Sequence, residues 1–235
     1  KISEAAPKVY PTTIPYLLAK LATMALQSEL DTSPKPGLVD QIDAGAHQDM
    51  DYNLMCRSIH ALHPHFVALA QLGYQEKLPT SEEMRRLGLE AEREMLLATN
   101  NVNTHKGALF AMGLVLIAAA HNYYIHGVIQ EQPLRTAICR LASDFPAPKG
   151  THGAAVRRQY NVGGALAQAA AGYPDLFNNW LPYLRQLKGD TFAAHKTLLY
   201  IMTALDDTNV FHRKGAQVAS EVKEEARTLL SNFSE

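Results

Sequence analysis

The stretch over residues 108–120 carries no charged side chain and is apolar around its whole circumference when wound as a helix. Such a helix has no face to offer water, so the rest of the chain must cover it on every side. The segments around it fit that demand. After Pro11 and Pro15, which suit a helix entrance better than an interior, Leu18, Leu21, Ala22 and Ala25 recur at helical spacing and predict a first helix to about Leu30. Met55, Ile59, Leu62, Phe66 and Leu69 predict a second helix from Asp51, kinked at Pro64. Thr80 and Glu83 form a capping-box pair ahead of Met84, Leu87, Ala91 and Met95, so a third helix runs to about Asn100. The central apolar helix starts at Thr104, and Pro133, at a first helical position, opens a fifth. Helical patterns over residues 165–171, 175–187, 192–205 and 216–230 follow.

Breakers separate these segments. Pro34, Pro36, Gly37 and Gly45 forbid continuous helix after the first, and residues 145–153 form a second loop. No run alternates apolar and polar residues between turn dipeptides, so no strand is predicted. The expected architecture is all-α: a single domain over residues 1–235, a bundle of about eight helices with a central apolar helix.

With 47% hydrophobic and 19% charged residues, the 235-residue chain can bury a large core. The formal charge of −1 provides no basic field for nucleic acid or anionic lipid, which leaves small molecules and other proteins as partners. Cys56 and Cys139 match no paired metal or redox spacing and read as reduced thiols. No signal-like segment precedes Tyr10, and the apolar run falls short of the roughly 20 residues of a bilayer span. A cytoplasmic location is therefore expected, with a natural N-terminus trimmed ahead of Lys1 and self-association left open.

Dinucleotide, Walker, zinc-protease and serine-hydrolase motifs are all missing, so any chemistry must come from scattered polar clusters. Three stand at helix boundaries. The first is Pro34–Asp40 with Gly45–Asp51, where His47, Asp49 and Asp51 share a side whether the segment is extended or helical. They group an imidazole with carboxylates, or one Asp caps the second helix. The second is Asn101–Gly107. Cations at His105 and Lys106 oppose the macrodipole in a first turn, and a bound phosphate would resolve the conflict, with Gly107 admitting it to the backbone. A Thr104 cap with Lys106 in solvent is the alternative. The third is Asp206–Asn209 with His212 and Arg213, carboxylates at a helix C-terminus that a cation would offset or that cap the next helix. Acids for a hard divalent ion, basic groups for phosphate and imidazoles for protons together suggest magnesium-nucleotide chemistry.

The blocks PKPGLVD (34–40), GAHQDM (45–50), VNTHKG (102–107) and DTN (207–209), in that order, resemble the signature blocks of the triphosphoribosyl-dephospho-coenzyme A synthases, with similarity from about Leu17 to Gly215. That resemblance implies an all-α enzyme joining the ribose C1′ of ATP to the 2′-hydroxyl of 3′-dephospho-coenzyme A, with release of adenine. The product would serve citrate lyase or malonate decarboxylase through a downstream holo-acyl-carrier-protein transferase. It implies Mg²⁺ or the ribosyl cation at Asp49, Asp51 and Asp207, and phosphate at Lys35, Lys106 and Arg213. Asn103, Thr104, Gly107, Asn209 and His212 would also contact substrate, and His47 or His105 would move protons. The chain departs from the pattern in three places. Leu166, Ala167 and Gln168 stand where the family has Arg-Gly-Glu, Arg213-Lys214-Gly215 where it has Arg-Gly-Gly, and the sequence stops before a Ser-Pro-Gly-Gly-Ser-Ala-Asp segment. A silent nucleotide-binding homologue and a metal-dependent hydrolase are the alternative expectations.

Overall fold

A computed structural model describes residues 13–145, 164–205 and 208–233, with the side chains of 208–216 and 219 left aside. Among the described residues there are nine α-helices, one π-helical turn and no strand. The fold is all-α, as the pattern predicted.

The core is built on α1 (Thr13–Asp31), α2 (Tyr52–Gly73), α3 (Ser81–Ala98), α4 (Lys106–His126) and α5 (Glu131–Ser143), with α6 (Ala165–Ala170) against α5. α4 is the central element and packs on α1, α2, α3, α5 and α6. Leu114, Leu116, Ile117, Ala118 and Ala120 are buried around its circumference, which is why its sequence shows no polar face. Each fully buried Leu or Ile there stabilises the fold by about 1.5–3 kcal/mol. The helix is longer than the apolar run, reaching His126, so by length and composition it could cross a membrane. Half of that window is covered by the protein, as befits a core helix. α2 approaches it closely at Gly73, where an added Cβ would fall on the Ile117 backbone.

Local signals explain the boundaries. Thr80 and Glu83 make both bonds of the capping box that starts α3. α3 ends at Thr99, with Asn100 at φ 53° and the Asn101 N–H on the Leu96 carbonyl, the longer bond of a Schellman turn. α2 runs unbroken through Pro64. α5 begins two residues before Pro133, whose missing N–H costs nothing anywhere in a first turn. The 175–187 segment divides into a π-helical turn, Leu176–Trp180, and α7, Leu181–Gln186. The last two helices, α8 (Ala193–Ala204) and α9 (Thr208–Ser231), pack on each other, and α9 starts earlier than its charge pattern indicated. Cys56 and Cys139 are free thiols.

Candidate active site

Residues 32–51, between α1 and α2, hold the first two blocks. Leu30, Val39 and Ile59 form a small buried cluster that ties this loop to both helices. The loop crosses itself where Gly45 passes Gly37. Both have positive φ, and a Cβ on Gly45 would lie 2.5 Å from the Gly37 carbonyl carbon, so only glycine fits. Buried Asp40 locks the turn. Its carboxylate accepts the N–H groups of Lys35 (2.7 Å), Ile42 (2.7 Å) and Asp43 (3.1 Å). Burial pushes its pKa up, but these hydrogen bonds outweigh burial and bring it to about 2.

The Lys35 side chain is 2% exposed, and Nζ donates to the Glu29 carbonyl (2.8 Å) and carboxylate (2.6 Å) at the end of α1. Asp51 caps α2, Oδ1 accepting the Leu54 N–H at 2.8 Å. Asp49 is 60% exposed and lies 4.0 Å from Nδ1 of partly buried His47.

The third block packs against α2. The Asn103 side chain accepts the Lys106 N–H at 3.3 Å, so Asn103 rather than Thr104 serves the start of α4. In the third block the Thr104 hydroxyl turns inward to Ser58 of α2, 2.7 Å away, and His105 Nδ1 lies 2.7 Å from the same Ser58 oxygen. His105 is buried, and burial, with the charge of Lys35, depresses its pKa to about 4. The expected clash between a cationic His105 and the helix dipole therefore does not arise, because the ring is neutral at pH 7. Lys106 pairs with Glu92 of α3, Nζ lying 2.5 Å from Oε1. Among the described residues nothing outside the backbone of α4 lies within 4 Å of where a Cβ on Gly107 would stand, so α4 is open at that position.

A groove of about 900 Å³ opens beside this site. Pro34, Gly37 and Ala46 line one wall, and Phe192, Leu199 and Phe233 line the other. His195 holds the walls together, Nε2 donating to the Ser33 carbonyl at 3.1 Å. Magnesium takes one or two carboxylates plus phosphate oxygens rather than a protein cage. No three acidic, histidine or cysteine groups converge among the described residues. Asp207 lies outside the described residues, and so do the side chains of Asn209, His212 and Arg213.

Thr104 and His105 are thus drawn together on Ser58, with Lys35 near enough for its charge to act on His105, and Asp51 stands two turns from Ser58 on the same face of α2. Residues 15–235 match the family described as ATP:dephospho-CoA triphosphoribosyl transferase. The chain belongs to that family. It is 38% identical over 220 residues to the probable 2-(5''-triphosphoribosyl)-3'-dephosphocoenzyme-A synthase of Azotobacter vinelandii, covering 90% of this chain and 75% of the relative. The protein of that name in Stutzerimonas stutzeri is 40% identical over 223 residues, covering 91% and 76%. The one in Streptococcus mutans is 35% identical over 240 residues, covering 91% and 81%. No solved structure matches the chain.

Family membership makes this an all-α transferase and bears out the resemblance carried by the four blocks. Within that frame Leu166, at the family's Arg position, packs against the main core from α6. Sequence reasoning passed over Ser58, whose polar partners lie 46 and 47 residues away. It quoted Asp40 inside a block without a role.

Proposed function

We propose that the protein transfers the triphosphoribosyl group of ATP to the 2′-hydroxyl of 3′-dephospho-coenzyme A and releases adenine. The observation that carries this reading is the start of α4, with open space at Gly107 among the described residues and Lys106 beside it, joined through Ser58 to α2, the helix that follows the loop of the first two blocks. A helix N-terminus with a cation beside it suits a polyphosphate. In this reading Lys106, Asn103 and Gly107 hold phosphates, together with Arg213, His212 and Asn209. Magnesium, when bound, neutralises triphosphate charge, and Asp49, Asp51 and Asp207 are the carboxylates that would hold it. Asp49 is exposed and Asp51 has one oxygen outside its cap bond, which suits ligands recruited by the nucleotide. Lys35 supports the site from below rather than from its surface, since its Nζ is occupied by Glu29. His47 and His105 are the proton-handling candidates. The reaction belongs in the cytoplasm, ahead of a holo-acyl-carrier-protein transferase serving citrate lyase or malonate decarboxylase.

A second reading rests on Leu166 and Gln168. With Leu166 spent on core packing and no charge at either position, the scaffold could bind nucleotide without turnover. Incubation with magnesium and ATP, with and without 3′-dephospho-coenzyme A, followed by chromatography for free adenine, separates the readings. Adenine that requires the acceptor supports transfer, adenine without it supports hydrolysis, and ATP binding without adenine supports the silent module.

A further inference from the structure

Ser58 has no accessible surface, yet its hydroxyl sits between two polar groups, Thr104 Oγ1 and His105 Nδ1, each at 2.7 Å. A hydroxyl carries one proton, which orders the chain. With Thr104 donating to Ser58, the Ser58 proton goes to Nδ1, and the ring proton of a neutral His105 then sits on Nε2. Among the described residues Nε2 has no hydrogen-bond partner, and it is not among the sealed, unpartnered polar atoms. Thr104 at the other end of the chain is half-buried and meets solvent.

Burial and the Lys35 charge make imidazolium unfavourable here. A neutral ring can release its Nε2 proton near pH 7 only if Nδ1 gains one in the same step. We propose that Thr104, Ser58 and His105 form a relay through which neutral His105 delivers its Nε2 proton to the departing heterocyclic base. The inference rests on the transferase reading and adds to it the proton donor of the leaving group. As the bond from C1′ to the acceptor oxygen forms, the C1′–N bond breaks and its electron pair goes to the base. Nε2 gives that base its proton, Ser58 gives one to Nδ1, Thr104 gives one to Ser58, and water replenishes Thr104. The acceptor hydroxyl releases its proton to water, so charge balances, and once the base has left, water protonates Nε2 while the Nδ1 proton passes back through Ser58 and Thr104 to solvent. His105 is the catalytic residue in this step, and Ser58 and Thr104 are positioning residues.

The test combines ¹⁵N-histidine NMR of the whole chain with steady-state adenine release. Wild type is expected to show Nε2 protonated and Nδ1 bare at pH 7, and Ser58→Ala to mix the tautomers. Ser58→Ala and Thr104→Val should each lower kcat roughly 10- to 100-fold, part of the factor a positioned acid supplies, with KM for both substrates within about threefold. Ser58→Thr should keep activity, and Ser58→Ala should cost nothing further in a His105→Ala background. Thr104→Val keeps the shape of a half-buried side chain and serves if Ser58→Ala does not fold. An Nδ1–H tautomer in wild type, or an unchanged kcat in Thr104→Val, would overturn the relay. If wild type releases no adenine at all, the transferase reading has failed instead, and the tautomer in Ser58→Ala still decides the hydroxyl chain.

Discussion

Lys106 Nζ lies 2.5 Å from Glu92 Oε1, a bridge from the first turn of α4 to α3. The lysine is 53% exposed, and exposed pairs contribute at most about 1 kcal/mol. Lys106→Ala should therefore leave the unliganded melting temperature nearly unchanged, with relief from the helix dipole offsetting the lost pair. If Lys106 holds phosphate, the same change weakens magnesium-ATP binding by about 1.5–3 kcal/mol, the range for a hydrogen bond to a charged group. Calorimetric titration measures the second effect and thermal melts the first. A lower unliganded melting temperature with an undiminished ATP-induced shift would end the assignment.

The depressed pKa of His105 makes stability depend on pH in a defined window. The unfolded chain binds a proton on this ring below about pH 6.5, whereas the folded ring, held neutral by burial and by Lys35, takes one only near pH 4. Stability should thus rise with pH between about 4 and 6.5, and the single group contributes up to about 3 kcal/mol of that rise. His105→Gln should flatten the slope in this window alone. Lys35→Met should raise the His105 pKa while leaving it below the ordinary value, because burial, the larger cause, persists. Urea melts at half-unit pH steps measure the slope, and an unchanged slope in His105→Gln would remove His105 as its source.

The legible parts of this fold are those written locally. The all-apolar α4 and the Thr80–Glu83 box each need only a few neighbouring residues to declare themselves, and both stand as predicted. Pro133 misplaced the start of α5 because any first-turn position tolerates proline, so the residue marks the turn without marking the boundary. His105 was legible as a site residue but not as a neutral one, since its protonation depends on burial and on Lys35, distant in sequence. Ser58 gave no signal, being a lone serine amid the apolar stripe of α2. Its partners arrive only when α4 docks.

Two glycines should respond in opposite ways to alanine. At Gly73 a Cβ would meet Ile117 backbone atoms, the nearest well inside van der Waals contact, so α2 and α4 must part. Overpacking of this kind costs about 1–3 kcal/mol or more, and Gly73→Ala should melt well below wild type. At Gly107 a Cβ meets no other described residue, and replacing glycine within a helix gains roughly 0.5–1 kcal/mol. Gly107→Ala should be as stable as wild type or more so, yet weaken magnesium-ATP binding if phosphate approaches the backbone there. Intact affinity in a stable Gly107→Ala would move the phosphate elsewhere.

Asp40 provides the clearest separation of loop integrity from chemistry. Its Oδ1 accepts from Ile42 and Asp43 and its Oδ2 from Lys35, all backbone donors within five residues. In Asp40→Asn one oxygen becomes an amide that can only donate. With Oδ1 kept on Ile42 and Asp43, the new NH₂ faces the Lys35 N–H. Losing that charge-assisted bond in a buried turn should cost about 1.5–3 kcal/mol. For a chain of this length that corresponds to a fall in melting temperature of roughly 2–4 °C per kcal/mol. The carboxylate pKa is depressed, so its stabilisation is fully present above the ordinary aspartate value near 3.8 and is lost as pH falls through about 2. This window lies below that of His105, and the two can be told apart in one titration. Asp40→Asn should remove the loss between pH 4 and 2 and leave the slope between 4 and 6.5 intact. If it instead left stability at pH 7 unchanged, the three hydrogen bonds would not be what holds the Pro34–Asp40 turn beneath the site.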